Sequence, residues 1–148
     1  MLSPTMTGLV VLCATLAAGL VTGVVMKARG GRVRETRSDM DVMAAADVGH
    51  ELGDRATLVQ FSTAFCQPCR ATRRVLSEVS GMVEGVRHVE IDAESRLDLV
   101  RRFDVLRTPT VLVLDREGRV VKRASGQPRK VDVIAALGFV TSHETDGT

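Results

Sequence analysis

An uncharged apolar run near the start of the chain constrains the fold most, because it separates a membrane helix from everything that follows. Residues 8–26 read GLVVLCATLAAGLVTGVVM and contain no Asp, Glu, Lys or Arg. At about 1.5 Å per residue, a helix of this length reaches about 28 Å, close to the roughly 30 Å hydrocarbon core of a bilayer. The run therefore predicts one transmembrane helix at 8–26, after a short N-terminal segment at 1–7.

A cleaved signal peptide is the alternative interpretation of this run. Signal peptides carry a basic segment before a shorter apolar stretch, and a small-residue cleavage site follows it. Residues 1–7 contain no Lys or Arg, and no convincing Ala-x-Ala site follows the run. Cys13 lies inside the run and follows Leu12, which does not fit a lipoprotein cysteine. We interpret Cys13 as a small apolar residue of the membrane helix.

Basic residues flank the run on its C-terminal side only. Between residues 27 and 37 the chain carries five basic residues against one acid, Glu35. The positive-inside rule then predicts that the domain after the helix lies in the cytoplasm. We interpret residues 27–40 as a basic juxtamembrane linker with a short extended piece at 32–36. The basic residues are Lys27, Arg29, Arg32, Arg34 and Arg37.

The composition of the whole chain excludes several classes of protein. Its 148 residues are 45% hydrophobic, which excludes a disordered chain, and a formal net charge of +2 is too small to indicate nucleic-acid binding. Aromatic residues amount to 3%, all of them Phe, which disfavours stacking on bases. Three cysteines are too few for a secreted scaffold held by several disulfides. A chain of this length fits one domain with an appendage.

Beyond the linker, strand and helix patterns alternate. Strands that alternate with helices pair in parallel, and a Glu117-Gly118 turn joins the last two strands into an antiparallel hairpin. The sequence therefore predicts an α/β domain at 41–138, with a central mixed sheet flanked by helices, and a flexible tail at 139–148. The predicted elements are a helix at 41–53, a strand at 57–62, a helix at 68–80, a strand at 86–91, a helix at 95–103, strands at 110–114 and 119–124, and a helix from Pro128 to Gly138.

The motif Cys66-Gln67-Pro68-Cys69 carries the chemistry of this domain. A Cys-x-x-Cys pair is either half of a metal site or a redox pair, and a structural zinc site needs four ligands. The other candidates are Cys13 in the predicted membrane helix and three scattered histidines, none of which forms a second pair. Because the motif lies between a predicted strand and a predicted helix, we favour redox chemistry over metal binding. The histidines are His50, His88 and His143.

The predicted helix after the motif suits redox chemistry. Cys66 falls at the helix N-terminus, where free N–H groups and the helix dipole favour the thiolate. A first helical turn brings both sulfurs within disulfide reach, and Pro68 lacks an N–H that would have no partner there. We expect Arg70 to add positive potential, and we interpret Arg73 and Arg74 as a solvated helix face.

Three segments of the chain resemble the thioredoxin family. They are LVQFSTAFCQPC at 58–69, VEID at 89–92 and FDVLRTPTVLVLDREGRVVKRASG at 103–126. The resemblance covers residues 41–138 and combines a Cys-x-Pro-Cys after a strand with a later Thr-Pro before an apolar strand and hairpin. It implies a thioredoxin-like fold preceded by one transmembrane helix. It also implies thiol–disulfide oxidoreductase activity, with catalytic Cys66 and Cys69 forming a reversible disulfide.

The resemblance also assigns residues to a substrate-facing surface. The family's later proline is cis and lies beside the disulfide, so Pro109 is expected to be cis and residues 107–109 to form the substrate-facing loop. A cis X-Pro bond exposes the preceding backbone groups to an extended peptide. The substrate contacts that the resemblance implies come from Phe65, Gln67, Pro68, Thr108 and Pro109.

Four positions depart from the family's pattern. Phe65 stands where a Trp is usual, which keeps an apolar lid and loses the indole N–H, and Gln67 stands where a Gly is usual. Gln60 replaces a buried acid and cannot take a proton, so deprotonation of Cys69 by that route is not expected. His88 replaces a Lys, and we interpret it as an ordinary strand residue. These departures indicate a redox potential and a partner set unlike those of general cytosolic thioredoxin.

The expected function is thiol–disulfide exchange with protein substrates, which needs a reducing partner but no metal and no organic cofactor. Three hypotheses compete. The first is a membrane-tethered disulfide reductase at the cytoplasmic face, and the second is the same enzyme facing outward for envelope disulfide or cytochrome c maturation chemistry. The third is a non-catalytic thioredoxin-like binding module. The basic flank favours the first over the second, and the intact cysteine pair disfavours the third. The anchor-plus-domain build indicates a bacterial source.

Overall fold

The computed structural model describes residues 4–30, 33–35 and 42–143, and the chain divides into two compact units after Gly30. Much of the predicted linker at 27–40 and half of the predicted tail at 139–148 therefore lie outside the described residues.

The described residues of the first unit form a single helix, α1 (Pro4–Gly30), which contains the apolar run. Its stretch Met6–Val25 has a mean hydropathy of 2.3, and its side chains are exposed, so the helix is long and apolar enough to cross a bilayer. The Thr15 hydroxyl donates to the Leu12 carbonyl at 2.9 Å, and Thr22 bonds back in the same way. Neither hydroxyl is therefore left without a partner in an apolar surrounding.

In its described residues, the second unit is built on a five-stranded mixed sheet. Its strands are β1 (Val33–Glu35), β2 (Ala56–Ser62), β3 (Val86–Asp92), β4 (Thr110–Asp115) and β5 (Val120–Ser125). They lie in the order β1-β5-β4-β2-β3. β2 is parallel to β3 and antiparallel to β4, and β5 is antiparallel to both β4 and β1. The predicted α/β fold with a central mixed sheet is thus confirmed.

Helices cover both faces of this sheet. In the described part of the unit they are α2 (Ala45–Val48), α3 (Gln67–Met82), α4 (Leu97–Arg102) and α5 (Lys130–His143). Leu76 of α3 and Leu137 of α5 join one hydrophobic cluster, while Val48 of α2 and Leu99 of α4 join the other. β2 and β4 lie between the two clusters and are buried along their whole length, which explains why most of their residues are apolar.

Helix α2 is much shorter than the helix predicted at 41–53, and that prediction is wrong. The Met43 N–H donates to the Gly118 carbonyl at 2.8 Å, so this part of the segment lies against the turn between β4 and β5 instead of entering a helix. Gly49 then ends α2 in a left-handed conformation with φ 74°. The apolar residues of this segment are spaced as in a helix that packs on a core. Met43 does pack in the core and is fully buried, but it belongs to a stretch of chain without helical structure.

Helix α5 continues to His143, beyond Gly138, where the sequence predicted its end. Val140 joins the same buried cluster as Val133 and is 2% exposed, so the last turn is held by packing. Gly138 faces away from the sheet, with nothing within 4 Å of the position of an added Cβ. The predicted tail at 139–148 therefore begins inside a helix.

One carboxylate organises the turn between β4 and β5. Asp115 accepts hydrogen bonds from the N–H groups of Glu117 at 3.0 Å and Arg119 at 2.9 Å. Between them Gly118 takes φ 83°, and a Cβ there would lie 2.3 Å from the Met43 carbonyl oxygen. Glycine is therefore required at 118 both by the backbone conformation and by the close approach of another segment.

We expect Gly118→Ala to lower the free energy of unfolding by about 1–3 kcal/mol, because the side chain strains the turn and displaces Met43. Gly138→Ala is the matched control. It should raise the free energy of unfolding by about 0.5–1 kcal/mol, because alanine loses less backbone entropy than glycine when it enters an exposed helical position. Urea denaturation of the full chain in detergent micelles, followed by circular dichroism, measures both. A Gly118→Ala protein as stable as the wild type would contradict this account of the turn.

Candidate active site

The two cysteines lie where β2 ends and α3 begins. Cys66 is the N-cap residue of α3, and Cys69 lies in its first turn. Their sulfurs are bonded at 2.09 Å, and their Cα atoms are 5.2 Å apart. Cys69 is 1% exposed, whereas Cys66 is partly exposed at the surface. The arrangement offers one sulfur to an incoming reactant and keeps the other inside.

The first turn of α3 directs a backbone N–H group at the Cys66 sulfur. The Cys69 N–H donates to this sulfur at 3.2 Å, as backbone donors do to an N-cap side chain. Pro68 fits the first turn because it has no N–H to leave without a partner. The turn reads QPCR and carries no acidic residue. After reduction, the same donor and the helix dipole stabilise a thiolate at Cys66.

A second loop adjoins the cysteines through a pair of threonines. The hydroxyl oxygens of Thr63 and Thr108 lie 3.3 Å apart, and the Cys66 N–H donates to the Thr63 carbonyl at 3.4 Å. The peptide bond between Thr108 and Pro109 is cis, as the resemblance implies. The Pro109 carbonyl accepts from the Gly126 N–H at 2.7 Å, which fixes the loop to the end of β5. The structure thus brings Thr108 and Pro109 to the loop that carries Cys66.

Two apolar side chains project into solvent from these loops. Phe65, directly before Cys66, is 99% exposed, so it does not cover the disulfide as the lid expected from the sequence. Leu106, which precedes the cis bond by two residues, is 85% exposed. The sequence reasoning missed Leu106, because an apolar residue among loop residues was its only signal. Gln67 and Pro68 are also exposed beside the disulfide.

A polar network leads from the Cys69 carbonyl through a buried glutamine to the protein surface. Gln60, fully buried in β2, donates from Nε2 to the Cys69 carbonyl at 2.9 Å. Its Oε1 lies 3.2 Å from Nε2 of His88 on β3, and the other ring nitrogen of His88 lies 3.2 Å from the Ser77 hydroxyl on α3. His88 is therefore not an ordinary strand residue, and Ser77 joins the network without any signal in the sequence.

An ion pair lies beside this network. Arg73 donates to both carboxylate oxygens of Glu90 at 2.6 Å, and the Ser62 hydroxyl donates to the same carboxylate. The hydrogen bonds from Arg73 hold the pKa of Glu90 below its ordinary value. Arg73 is exposed, as expected of a solvated helix face, but it is bonded to β3. A groove of about 440 Å³ opens here, lined by both cysteines, Arg70 and this ion pair.

The remaining candidate metal ligands from the sequence are Cys13, His50 and His143. Cys13 is a free, exposed cysteine of α1, in the other unit of the chain. His50 is exposed, and the side chain of His143 lies outside the described part. Within the residues that the structure describes, no group of three or more His, Cys, Asp or Glu side chains is arranged to hold a metal ion.

The second unit of this chain is similar to a known protein family and to several of its members. The thioredoxin family model matches residues 42–138. A thioredoxin of Alicyclobacillus acidocaldarius is 32% identical over 89 residues, which cover 60% of this chain and 84% of that protein. A thioredoxin of Mycobacterium tuberculosis is 28% identical over 88 residues, covering 59% and 75%. Human thioredoxin domain-containing protein 2 is 29% identical over 86 residues, but the match spans only 16% of that longer protein.

Solved structures show the same fold. A mutant thioredoxin from Halobacterium salinarum superposes with a TM-score of 0.56 at 18% identity, covering 72% of this chain and 87% of that one. Oxidised mitochondrial thioredoxin 3 from Saccharomyces cerevisiae gives a TM-score of 0.52 at 18% identity, covering 60% and 81%. The chain belongs to the thioredoxin family. With its Cys66–Cys69 pair, it is a thiol–disulfide oxidoreductase.

We expect the His88 imidazole to titrate below the ordinary value of 6.5, because burial lowers its pKa by disfavouring the charged ring. Nearby Glu90 raises this pKa, and Arg73 lowers it, by smaller amounts. Glu90→Gln should therefore move the midpoint further down, and Arg73→Gln should move it up. NMR of the ring protons in the full chain in micelles measures all three proteins. Shifts of the same sign in both variants would contradict the electrostatic assignment.

Proposed function

We propose that this protein reduces disulfide bonds of protein targets at the cytoplasmic face of a membrane. The observation that carries the proposal is the Cys66–Cys69 disulfide at the N-terminus of α3, beside the loop with the cis Thr108–Pro109 bond. The helix N-terminus favours a reactive thiolate, and the loop offers backbone groups to an extended chain. Together these features supply an attacking thiolate and a surface that pairs with a polypeptide target.

The reaction begins at Cys66, since its sulfur is the more exposed of the two. The Cys66 thiolate attacks one sulfur of the target disulfide, so a bond between Cys66 and the target forms and the target's own disulfide breaks. Cys69 then loses its proton and attacks the Cys66 sulfur. The Cys66–Cys69 bond forms, and the second target sulfur leaves as a thiolate. Two electrons pass to the target, and its thiolates take one proton from Cys69 and one from solvent.

Residues around the pair hold the target during these steps. The backbone at Thr108 and Pro109 pairs with the target chain, while Phe65, Gln67 and Pro68 contact its side chains. The exposure of Phe65, at 99%, supports a role in contact with another molecule. A reducing partner with its own dithiol then returns two electrons to the oxidised pair.

The proposed location rests on α1 and on the residues that follow it. Met6–Val25 is apolar enough to span a bilayer once. The five basic residues between 27 and 37 favour an orientation in which the domain lies on the cytoplasmic side of the membrane. A reductant suits this side, because glutathione and thioredoxin systems keep the cytoplasm reducing.

Reduction of insulin by dithiothreitol should be accelerated by the full chain in detergent micelles, and Cys66→Ser should abolish the acceleration because it removes the attacking thiolate. Cys69→Ser should instead accumulate a mixed disulfide that mass spectrometry detects, since resolution is blocked. Cys13→Ser is the matched control and should retain full activity. Equal activity of the Cys66→Ser and wild-type proteins would refute the assignment and favour a binding module without catalysis.

The orientation is tested by fusing reporters after Thr148 in a bacterial cell. Alkaline phosphatase, which folds only outside the cytoplasm, should be inactive in the fusion, and green fluorescent protein, which matures in the cytoplasm, should fluoresce. The two reporters serve as controls for each other because their expected signals are opposite. Active phosphatase with no fluorescence would favour the outward-facing enzyme of envelope disulfide or cytochrome c maturation chemistry.

A further inference from the structure

We infer that Gln60 is a positioning residue for Cys69, and that His88, held by Ser77, sets the direction in which the Gln60 amide points. The inference deepens the proposed exchange reaction and rests on it. Three contacts carry it. Gln60 Nε2 lies 2.9 Å from the Cys69 carbonyl, Gln60 Oε1 lies 3.2 Å from His88 Nε2, and His88 Nδ1 lies 3.2 Å from the Ser77 hydroxyl.

These contacts have one consistent direction of donation. The Cys69 carbonyl only accepts, so Gln60 presents its NH₂ group there and its Oε1 to His88. Because Oε1 also only accepts, the proton of a neutral His88 ring is on Nε2. Nδ1 then accepts from the Ser77 hydroxyl. Burial lowers the pKa of His88, which is consistent with a neutral ring at neutral pH.

The backbone of Cys69 is therefore held at both of its polar groups. Its N–H donates to the Cys66 sulfur at 3.2 Å, and its carbonyl accepts from Gln60. Gln60 is fully buried on a strand paired on both sides, so it is a fixed point for the first turn of α3. The Gln60 contact involves neither sulfur. It is therefore available in the disulfide, mixed-disulfide and dithiol states alike.

Holding Cys69 matters most in the second step of exchange. Cys69 must then reach the Cys66 sulfur in line with the bond to the target, and a displacement of about 1 Å can cost about a hundredfold in rate. Gln60 itself takes no proton, so its role is geometric. The titratable and charged groups around it are His88 and Glu90 on β3, Arg73 on α3 and the cysteines, and the facing residue on β4 is Val111.

A two-stage thiol reagent separates the two steps. The full chain with Cys13→Ala, in micelles, has Cys66 and Cys69 as its only thiols. When the reduced protein is mixed with less than one equivalent of dithiobisnitrobenzoate, attack by Cys66 releases one thionitrobenzoate, and resolution by Cys69 releases the second. Stopped-flow absorbance then gives one rate for each cysteine.

Gln60→Leu is expected to slow the second release about tenfold and to change the first by less than about twofold. His88→Phe removes the donor to Gln60 Oε1 and should slow the second release about fivefold. Thr72→Val is the matched control, because its buried hydroxyl on α3 has no partner among the described residues, and both of its rates should match the parent.

The two separate rates are a readout that a packing role does not move. A general loosening of the first turn of α3 would slow attack by Cys66 and resolution by Cys69 together, whereas loss of the contact to the Cys69 carbonyl slows resolution alone.

Three outcomes overturn the inference. Two concern Gln60→Leu: an unchanged second release, or both releases slowed by the same factor. The third is an unchanged second release in His88→Phe, which removes the orienting role of His88. Absence of both releases in the Cys13→Ala parent would instead contradict the proposed exchange reaction.

Discussion

Burial of strand β2 along its whole length is the constraint on which the rest of this structure depends. Helices cover both faces of the strand, so each polar side chain on it must find a hydrogen-bond partner inside the protein. Thr57 accepts from the Gly53 N–H at 2.9 Å, and Gln60 bonds to Cys69 and His88. Because the strand leads directly into the cysteine loop, the same burial that stabilises the sheet places the reactive pair at its end.

The sequence predicted correctly those strands and helices whose conformation depends on the local pattern of apolar residues. Short, mostly apolar segments predicted β2 and β4, and apolar spacing predicted α3, close to their observed bounds. Prediction failed where a distant segment decides the local conformation. Met43 donates a hydrogen bond to Gly118 instead of entering a helix. Helix α5 continues past Gly138 because Val140 packs in a buried hydrophobic cluster. Both contacts join residues that are far apart in the sequence, so the local pattern of residues does not reveal them.

The candidate site divides in the same way. The cysteine pair was predictable as a short motif between a predicted strand and a predicted helix, and the family resemblance implied the cis bond at Pro109. The links of Gln60 with His88 and of Ser62 with Glu90 were not predictable, since each joins residues 28 positions apart through the parallel register of β2 and β3. Sequence reasoning identified Gln60 and His88 as unusual, but only the register shows that they are bonded to each other.

The two edges of the sheet are protected in different ways. In the described part of the chain, one edge is β3, whose exposed positions include Arg87, Glu90 and Asp92, and charges of this kind discourage pairing with another chain. The other edge is closed by β1, which pairs with β5 over residues 33–35 only. A soluble fragment that begins at residue 38 would lose this cover and expose the edge of β5 to aggregation. A fragment that begins at residue 31 keeps the edge closed while still omitting the apolar helix.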